Sequence, residues 1–406
     1  MEKTEKITHV ELAEELKRQN LIKKDFVVPS SALRMAGNCL QIVYRNGGNP
    51  LLSDLLKNSG ICVANGSESA INLKATEVAH EQFAQKLGIH LSYYKKMLEG
   101  EKHFSLLNEN VNYWMGLANK NFFIRSFIDP VNDSGICRAF LSDRFFALDN
   151  YDVFFATLEA VRDSGIKLEI LDCDITDKRM YVRFVAPEIE VKSPELLKMY
   201  RNPNEGTTDT GIMSGFVLTN SEVGHGKFSI SPRAVINACK NGVIWKEDSF
   251  SETHLGSKMD GSQIEWSNET FQNEKKLVIS QIKDWVKQFI NEDYLGKKVS
   301  KMEMQGKEQL KHPIDTVHNV CVDVRKRVPI SEEKENDLLN YFTKGGCTTG
   351  FGVSQAITYF AQHNVNADDR YELEIIGADV LNNIKYYDKP VVKKEKKGVT
   401  GIINPN

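Results

Sequence analysis

The sequence predicts an α+β protein: a central antiparallel sheet with packed helices, flanked by helical N- and C-terminal regions. Three observations predict it. Strand-like runs cluster between about Phe127 and Trp266, helical periodicity dominates on either side, and the two kinds are segregated rather than alternating as in a parallel sheet. At 406 residues the chain exceeds what one hydrophobic core usually serves. The pattern divides it into 1–125, helical with a candidate helix-turn-helix; 126–267, the α+β core; 268–385, helical; and 386–406, a flexible polar tail.

The first helix is expected from Thr8 to Asn20, where Val10, Leu12, Ala13 and Leu16 recur at near-helical spacing and Thr8 with Glu11 can form a capping box. From Asn72 to Leu98 the pattern is again helical, with Val78, Phe83, Ala84 and Leu87 apolar and a turn at Gly88. Ile136 to Leu141 reads as a strand. Asp149-Asn150 then starts a helix whose apolar stripe of Val153, Phe154, Leu158 and Val161 ends at Gly165. A hairpin follows, with Ile166, Leu168 and Ile170 before a polar turn and Met180, Val182 and Phe184 after it. Residues Pro187 to Thr210 read as an irregular excursion because three prolines interrupt them.

Strands at Gly215–Thr219 and Lys227–Ile230 flank the turn Asn220-Ser-Glu-Val-Gly-His-Gly226. A short helix is expected next, since Ser231 suits an N-cap, Pro232 the first helical position, and Asn241-Gly242 a left-handed exit. Helices are also expected over Asn268–Phe289, Glu332–Phe342 and Val353–His363, the last two joined by a flexible glycine loop, 345–352.

An apolar content of 41% with 26% charged residues is that of an ordinary soluble globular protein. No apolar run approaches the roughly 20 residues that cross a bilayer, and the N-terminus lacks a signal peptide's apolar segment, so a cytoplasmic protein without a membrane partner is expected. Seven scattered cysteines with no Cys-x-x-Cys argue against a disulfide framework or a zinc knuckle. A net charge of -3 means that any nucleic-acid contact must come from a local basic patch. No cofactor and no metal are expected. The chain has no His-Glu-x-x-His, Gly-x-Ser-x-Gly or phosphate-loop pattern, and Asp172, Asp174 and Asp177 lack the glycine and closing glutamate of a calcium loop.

On the expected helix after Ser231, Arg233, Asn237 and Lys240 share one edge, and Lys227, Arg138 and Arg144 can add donors for a phosphate backbone. A solvated helix face explains the same residues. The segment around Gly88 can be a helix-turn-helix reader, with Ser92, Tyr93, Lys95 and Lys96 toward DNA, or a plain helical hairpin. His225, in a glycine-flanked turn, and His254 are the histidines placed to move a proton or bond a phosphate; simple solvation is the alternative.

The ordered segments Cys137-Arg-Ala-Phe-Leu-Ser-Asp-Arg-Phe-Phe-Ala-Leu-Asp-Asn150, Thr219-Asn-Ser-Glu-Val-Gly-His-Gly-Lys-Phe-Ser229, Cys239-Lys-Asn-Gly242 and Thr349-Gly-Phe-Gly-Val-Ser-Gln-Ala-Ile-Thr358 resemble the phage/plasmid-like protein family with domain of unknown function 932. The resemblance covers roughly Lys74 to Leu381 and implies the accessory genome of a phage, plasmid or prophage without fixing a chemistry. The expected order of strand, glycine turn, strand and basic helix is also similar to the core of ring-forming single-strand annealing proteins. The function expected is therefore a DNA-metabolism accessory protein that binds or anneals single-stranded DNA without catalysis, as one copy or as a homo-oligomer. A helix-turn-helix transcriptional regulator, or an enzyme acting on nucleotides or nucleic acid through His225 and His254, is the alternative.

Overall fold

The computed structural model describes residues 7–45, 68–129, 134–145, 147–252 and 268–391; His254, the segment after 391 and the remaining gaps lie outside them. The first helix, α1 (His9–Ile22), opens on the expected capping box, with Glu11 N donating to the Thr8 hydroxyl at 3.2 Å and Thr8 N to the Glu11 carboxylate at 2.7 Å. It runs directly into β1 (Lys23–Pro29). Then come β2 (Leu33–Ala36), β3 (Cys39–Arg45), β4 (Glu68–Ala75), α2 (Glu77–Leu87), α3 (Leu91–Leu98), α4 (Phe104–Ala118), β5 (Asn121–Asp129) and β6 (Ser134–Ser142). The strands form one six-stranded sheet in the order β1-β5-β6-β4-β3-β2, in which β4 and β6 run parallel and the other pairs antiparallel. Phe26, Val28, Leu40, Ile42, Leu73, Phe122, Ile124 and Phe140 from the sheet pack with Phe83, Tyr94, Leu107 and Met115 from the helices in one core.

The α+β class is as the sequence predicts, but residues 1–125 are not helical throughout. Asn72–Ala75, expected in a helix, end β4, and α2 begins only after Thr76, whose hydroxyl caps Ala79 N. The helical reading failed because β4 is followed with no loop by a real helix, which lends its periodicity to the last strand residues. Gly88, at φ 71°, makes the expected turn between α2 and α3.

The second sheet holds β7 (Glu169–Ile175), β8 (Met180–Lys192), β9 (Gly211–Asn220), β10 (Phe228–Ile236) and β11 (Gly242–Ile244) in the order β11-β10-β9-β8-β7, with β12 (Phe250–Glu252) also on β10. Ahead of β7 lies α5 (Asn150–Ser164); after β12 come α6 (Asn268–Phe289), α7 (Glu292–Gly306), α8 (Pro313–Arg327), α9 (Glu332–Gly345), α10 (Gly350–Asn364) and α11 (Ala367–Asn382). One sheet face packs on α1, α5 and α6 through Leu16, Phe154, Phe184, Phe216, Ile282 and Trp285. Farther along, the same face packs on α7, α10 and α11 through Ile212, Ala234, Ile236, Met302, Phe351 and Leu381, and the opposite face packs on α11 through Tyr181, Val217, Ile244, Tyr371 and Ile375. Covered on both sides, β9 is buried at all ten of its positions. Residues 187–192, expected to be irregular, continue β8 past a register shift between Ala186 and Glu190 that accommodates Pro187.

The helix expected after Ser231 does not form: Ser231–Ile236 continue β10, and 237–239 turn into β11. Pro232 is tolerated for a local reason. Its carbonyl accepts Trp245 N on the side of β11 and β12, so its missing N–H would point the same way, into the interval between β12, paired with Phe228–Ile230, and β11, paired with Arg233–Val235. The left-handed residue is Lys240, at φ 57°. The glycine segment 345–352 is also no loose joint, since Thr349 caps Gly352 N at 3.3 Å and a Cβ on Gly352 would stand 1.7 Å from the Cys347 carbonyl oxygen. Among the described residues no helix is long and apolar enough to cross a membrane.

Candidate functional site

The turn between β9 and β10 is held by side chains from five separate elements of the chain. Gln82 of α2 donates to Val223 O at 2.6 Å while its own carbonyl accepts Phe140 N at 2.7 Å. Arg125 of β5 donates to Glu222 O at 3.0 Å. The Glu222 carboxylate accepts Asn150 N and Arg138 Nη2, both at 2.6 Å, and Asn220 Nδ2 donates to Leu148 O at 2.8 Å and Asn150 Oδ1 at 2.9 Å. From the β7–β8 hairpin, Arg179 Nε donates to His225 O at 2.8 Å and Lys178 O accepts the Ser221 hydroxyl at 2.7 Å. Gly224 sits at φ 76°, and a Cβ there would meet the Leu141 side chain at 2.9 Å.

Charge pairing underneath fixes the junction of the two sheets. Arg125 is fully buried and bonds Asp149 at 2.5 Å and Asp25 at 3.0 Å, with Lys23 on the other Asp149 oxygen at 2.5 Å. Burial alone would raise the Asp149 carboxyl, but Arg125 and Lys23 override it and hold it well below the usual carboxylate range. Asp25 is shifted the opposite way, because burial outweighs its share of Arg125. Arg138 lies over the Phe127 ring at 3.9 Å and is spent on Glu222. It positions the turn and does not face solvent as a free donor.

What the turn presents outward is different. Gly224 and Lys227 are exposed, as are Lys178 on the neighbouring hairpin tip and Arg144, whose neighbour Phe145 packs toward Gly224. His225 is half-buried; burial and then Lys178 push its imidazole below the ordinary value, against Glu81 on the helix side. Asp143 and Asp177 are exposed on the same two loops, so the cations project singly and do not form a continuous basic field.

Arg233 is elsewhere. It is 1% exposed on β10, with Nη2 bonded to Glu374 of α11 at 2.9 Å, and its guanidinium lies against Gly242, where a Cβ would fall 1.7 Å from Nε. Burial pushes Arg233 below its ordinary value, with Arg370 and Arg183 repelling it against the pull of Glu374. Asn237 is half-buried on Asp209 at 2.7 Å, and Lys240 is exposed and bonds Asn237 at 2.5 Å. The expected edge of Arg233, Asn237 and Lys240 therefore does not exist, because a strand sends Arg233 to the interior. Asp172 and Asp174 are committed to Arg183 and Arg370 at 2.8–3.1 Å, while Asp177 stands exposed on the hairpin tip. Among the described residues no group of three or more His, Cys, Asp or Glu is arranged to hold a metal ion.

Around Gly88 the helical pair forms, with Ser92, Tyr93 and Lys96 exposed and Lys95 drawn to Glu81 at 2.9 Å and Glu77 at 3.3 Å. The residues that build the turn site but escaped the sequence reading are Gln82, Arg125, Lys178 and Arg179. For Arg125 the signal available was a charge inside the apolar run Phe122-Phe-Ile-Arg-Ser-Phe-Ile128, whereas Lys178 and Arg179 stand in a polar turn and Gln82 on a mixed helix, where nothing local distinguishes them. No family model, no curated protein and no solved structure matches the chain.

Proposed function

We propose that the chain is a cytoplasmic, non-catalytic accessory protein of a mobile element that binds single-stranded DNA at the β9–β10 turn, with Arg144, Lys178 and Lys227 as phosphate contacts. The observation that supports this reading is the anchoring of residues 220–225 by side chains of Gln82, Arg125, Asn150 and Arg179, behind an exposed glycine and flanking cations. A turn fixed from behind loses little entropy on binding, and a residue without a side chain lets a phosphate approach the main chain. Nucleophilic chemistry has less support, since burial pushes the thiols of Cys137, Cys173 and Cys321 up to about 12. The order of sequence motifs supports the mobile-element setting.

The test is fluorescence anisotropy of a labelled oligothymidine across a salt series. Reversing Arg144, Lys178 and Lys227 together to Glu removes three contacts, and at about 0.7 per phosphate on single strands the log–log salt slope flattens by about 2. Lys240→Glu leaves the curve unchanged. Equal binding by the triple variant and the parent protein at every salt concentration refutes the proposal, as does the absence of salt-dependent binding by the parent.

A further inference from the structure

Between α2 and α3 lies a groove of about 370 Å³, lined by Glu77, His80, Glu81, Leu91, Tyr94, Lys95, Leu98 and Glu99. That volume is within the range of small-molecule pockets, roughly 300–1,000 Å³. Its inner wall is built from two buried polar rings. His80 is 5% exposed and Tyr94 is fully buried, and His80 Nδ1 lies 2.8 Å from the Tyr94 hydroxyl. Among the described residues the imidazole is the hydroxyl's only hydrogen-bond partner, so the hydroxyl hydrogen goes to Nδ1 and the ring proton is left on Nε2. Nε2 has no protein partner among the described residues, and the ring it belongs to forms part of the groove wall. Burial lowers the His80 imidazole to about 4, which keeps it neutral at physiological pH.

The mouth has the opposite character. Glu77, Glu81 and Glu99 stand there against one cation, Lys95, whose ammonium already rests 2.9 Å from Glu81 and 3.3 Å from Glu77. The bond to Lys95 holds the Glu81 carboxyl below the usual value against burial, and Lys178 and His225 on the hairpin side act in the same direction. Leu91, Leu98 and the Tyr94 ring supply an apolar flank between mouth and wall. A chain that places carboxylates, an apolar flank and a single N–H in that order matches a ligand with a cation, an apolar body and an oxygen.

We propose that this groove binds a small organic amine, its ammonium among Glu77, Glu81 and Glu99, its body along Leu91, Tyr94 and Leu98, and an oxygen acceptor on His80 Nε2–H. Lys95 is the internal ammonium that the ligand joins or displaces. The proposal does not rest on nucleic-acid binding.

Tyramine, which has all three parts, is the probe, titrated into the full chain by calorimetry beside 4-hydroxyphenylacetate, which reverses the charge. The expected result is saturable one-to-one binding of tyramine and none of the anion. Glu81→Gln weakens tyramine about threefold to fivefold, as loss of one partly exposed charge pair does, and Leu98→Trp, which fills the groove, abolishes binding. The Arg144→Glu, Lys227→Glu double variant, which leaves Lys178 and every groove residue in place, binds tyramine as the parent does, which separates this proposal from the preceding one. Non-saturable tyramine binding, equal binding of the anion, or undiminished binding by a folded Leu98→Trp protein overturns it; the first two need no variant.

Discussion

Replacing Glu374 by Gln tests what joins α11 to the second sheet. Glu374 is fully buried, with Arg233 Nη2 at 2.9 Å, Arg183 Nε at 3.2 Å and Arg370 Nε at 3.6 Å around one carboxylate. Three guanidinium groups are balanced there by Glu374, Asp172 and Asp174. Gln keeps the shape but leaves one positive charge uncompensated in the interior, and breaking such a buried pair costs about 3–5 kcal/mol. That is a large part of the 5–15 kcal/mol by which a typical protein is stable. Arg233→Met breaks the same network from the other side: it leaves two guanidinium groups against three carboxylates, one negative charge uncompensated, so a cost of the same order is expected, and the double variant Arg233→Met/Glu374→Gln, which restores the balance, is expected to lose less than the sum of the two. Urea unfolding followed by the fluorescence of Trp245 and Trp285, both packed around the second sheet, reads all three variants. The pH dependence has a fixed sign. Burial would raise the Glu374 carboxyl, but Arg183, Arg233 and Arg370 hold it below the usual value, so its contribution is present above the ordinary glutamate range and is lost as pH falls through the depressed value. The Glu374→Gln change removes that acid-sensitive component. A Glu374→Gln protein within about 1 kcal/mol of the parent, or a double variant that loses the full sum of the two single changes, refutes the reasoning.

Gly242→Ala puts a methyl where the Arg233 guanidinium lies, 1.7 Å from Nε, and is expected to destabilise by at least the 1–3 kcal/mol typical of overpacking, visible as a lower melting temperature. Among the described cysteines, Cys39 is the one that is not buried, while burial lifts the thiols of Cys137, Cys173 and Cys321 to about 12. Alkylation of the native protein at pH 8, read by peptide mass spectrometry, is therefore expected to label Cys39 and spare those three.

The parts of the fold legible in the sequence are those decided by local chemistry. The Thr8–Glu11 capping box, the Gly88 and Gly165 helix exits and the amphipathic helix over Asn268–Phe289 all stand where short-range rules place them. The N-terminal sheet was missed although Leu33, Met35, Leu40 and Ile42 alternate across a turn at Gly37, because its partners come from positions far apart: β1 pairs with β5 and β4 with β6. Ser231-Pro232 carries a strong helix-start signal that tertiary pairing overrides, and with it went the orientation of Arg233. The turn site was half legible. Arg144, His225 and Lys227 were visible as polar loop residues, whereas Arg125 and Gln82 act from other elements over sequence separations of 97 and 141, which no local pattern connects to the turn.

Glu374 has a consequence for the order in which the chain matures. Arg233 is made long before Glu374, the carboxylate it bonds, whereas Arg183 already has Asp172 and Asp174 of its own sheet, so during vectorial synthesis it is Arg233 that waits for a counter-charge. The sheet face that carries Arg233 is completed only when α11 brings Glu374 together with Tyr371 and Ile375.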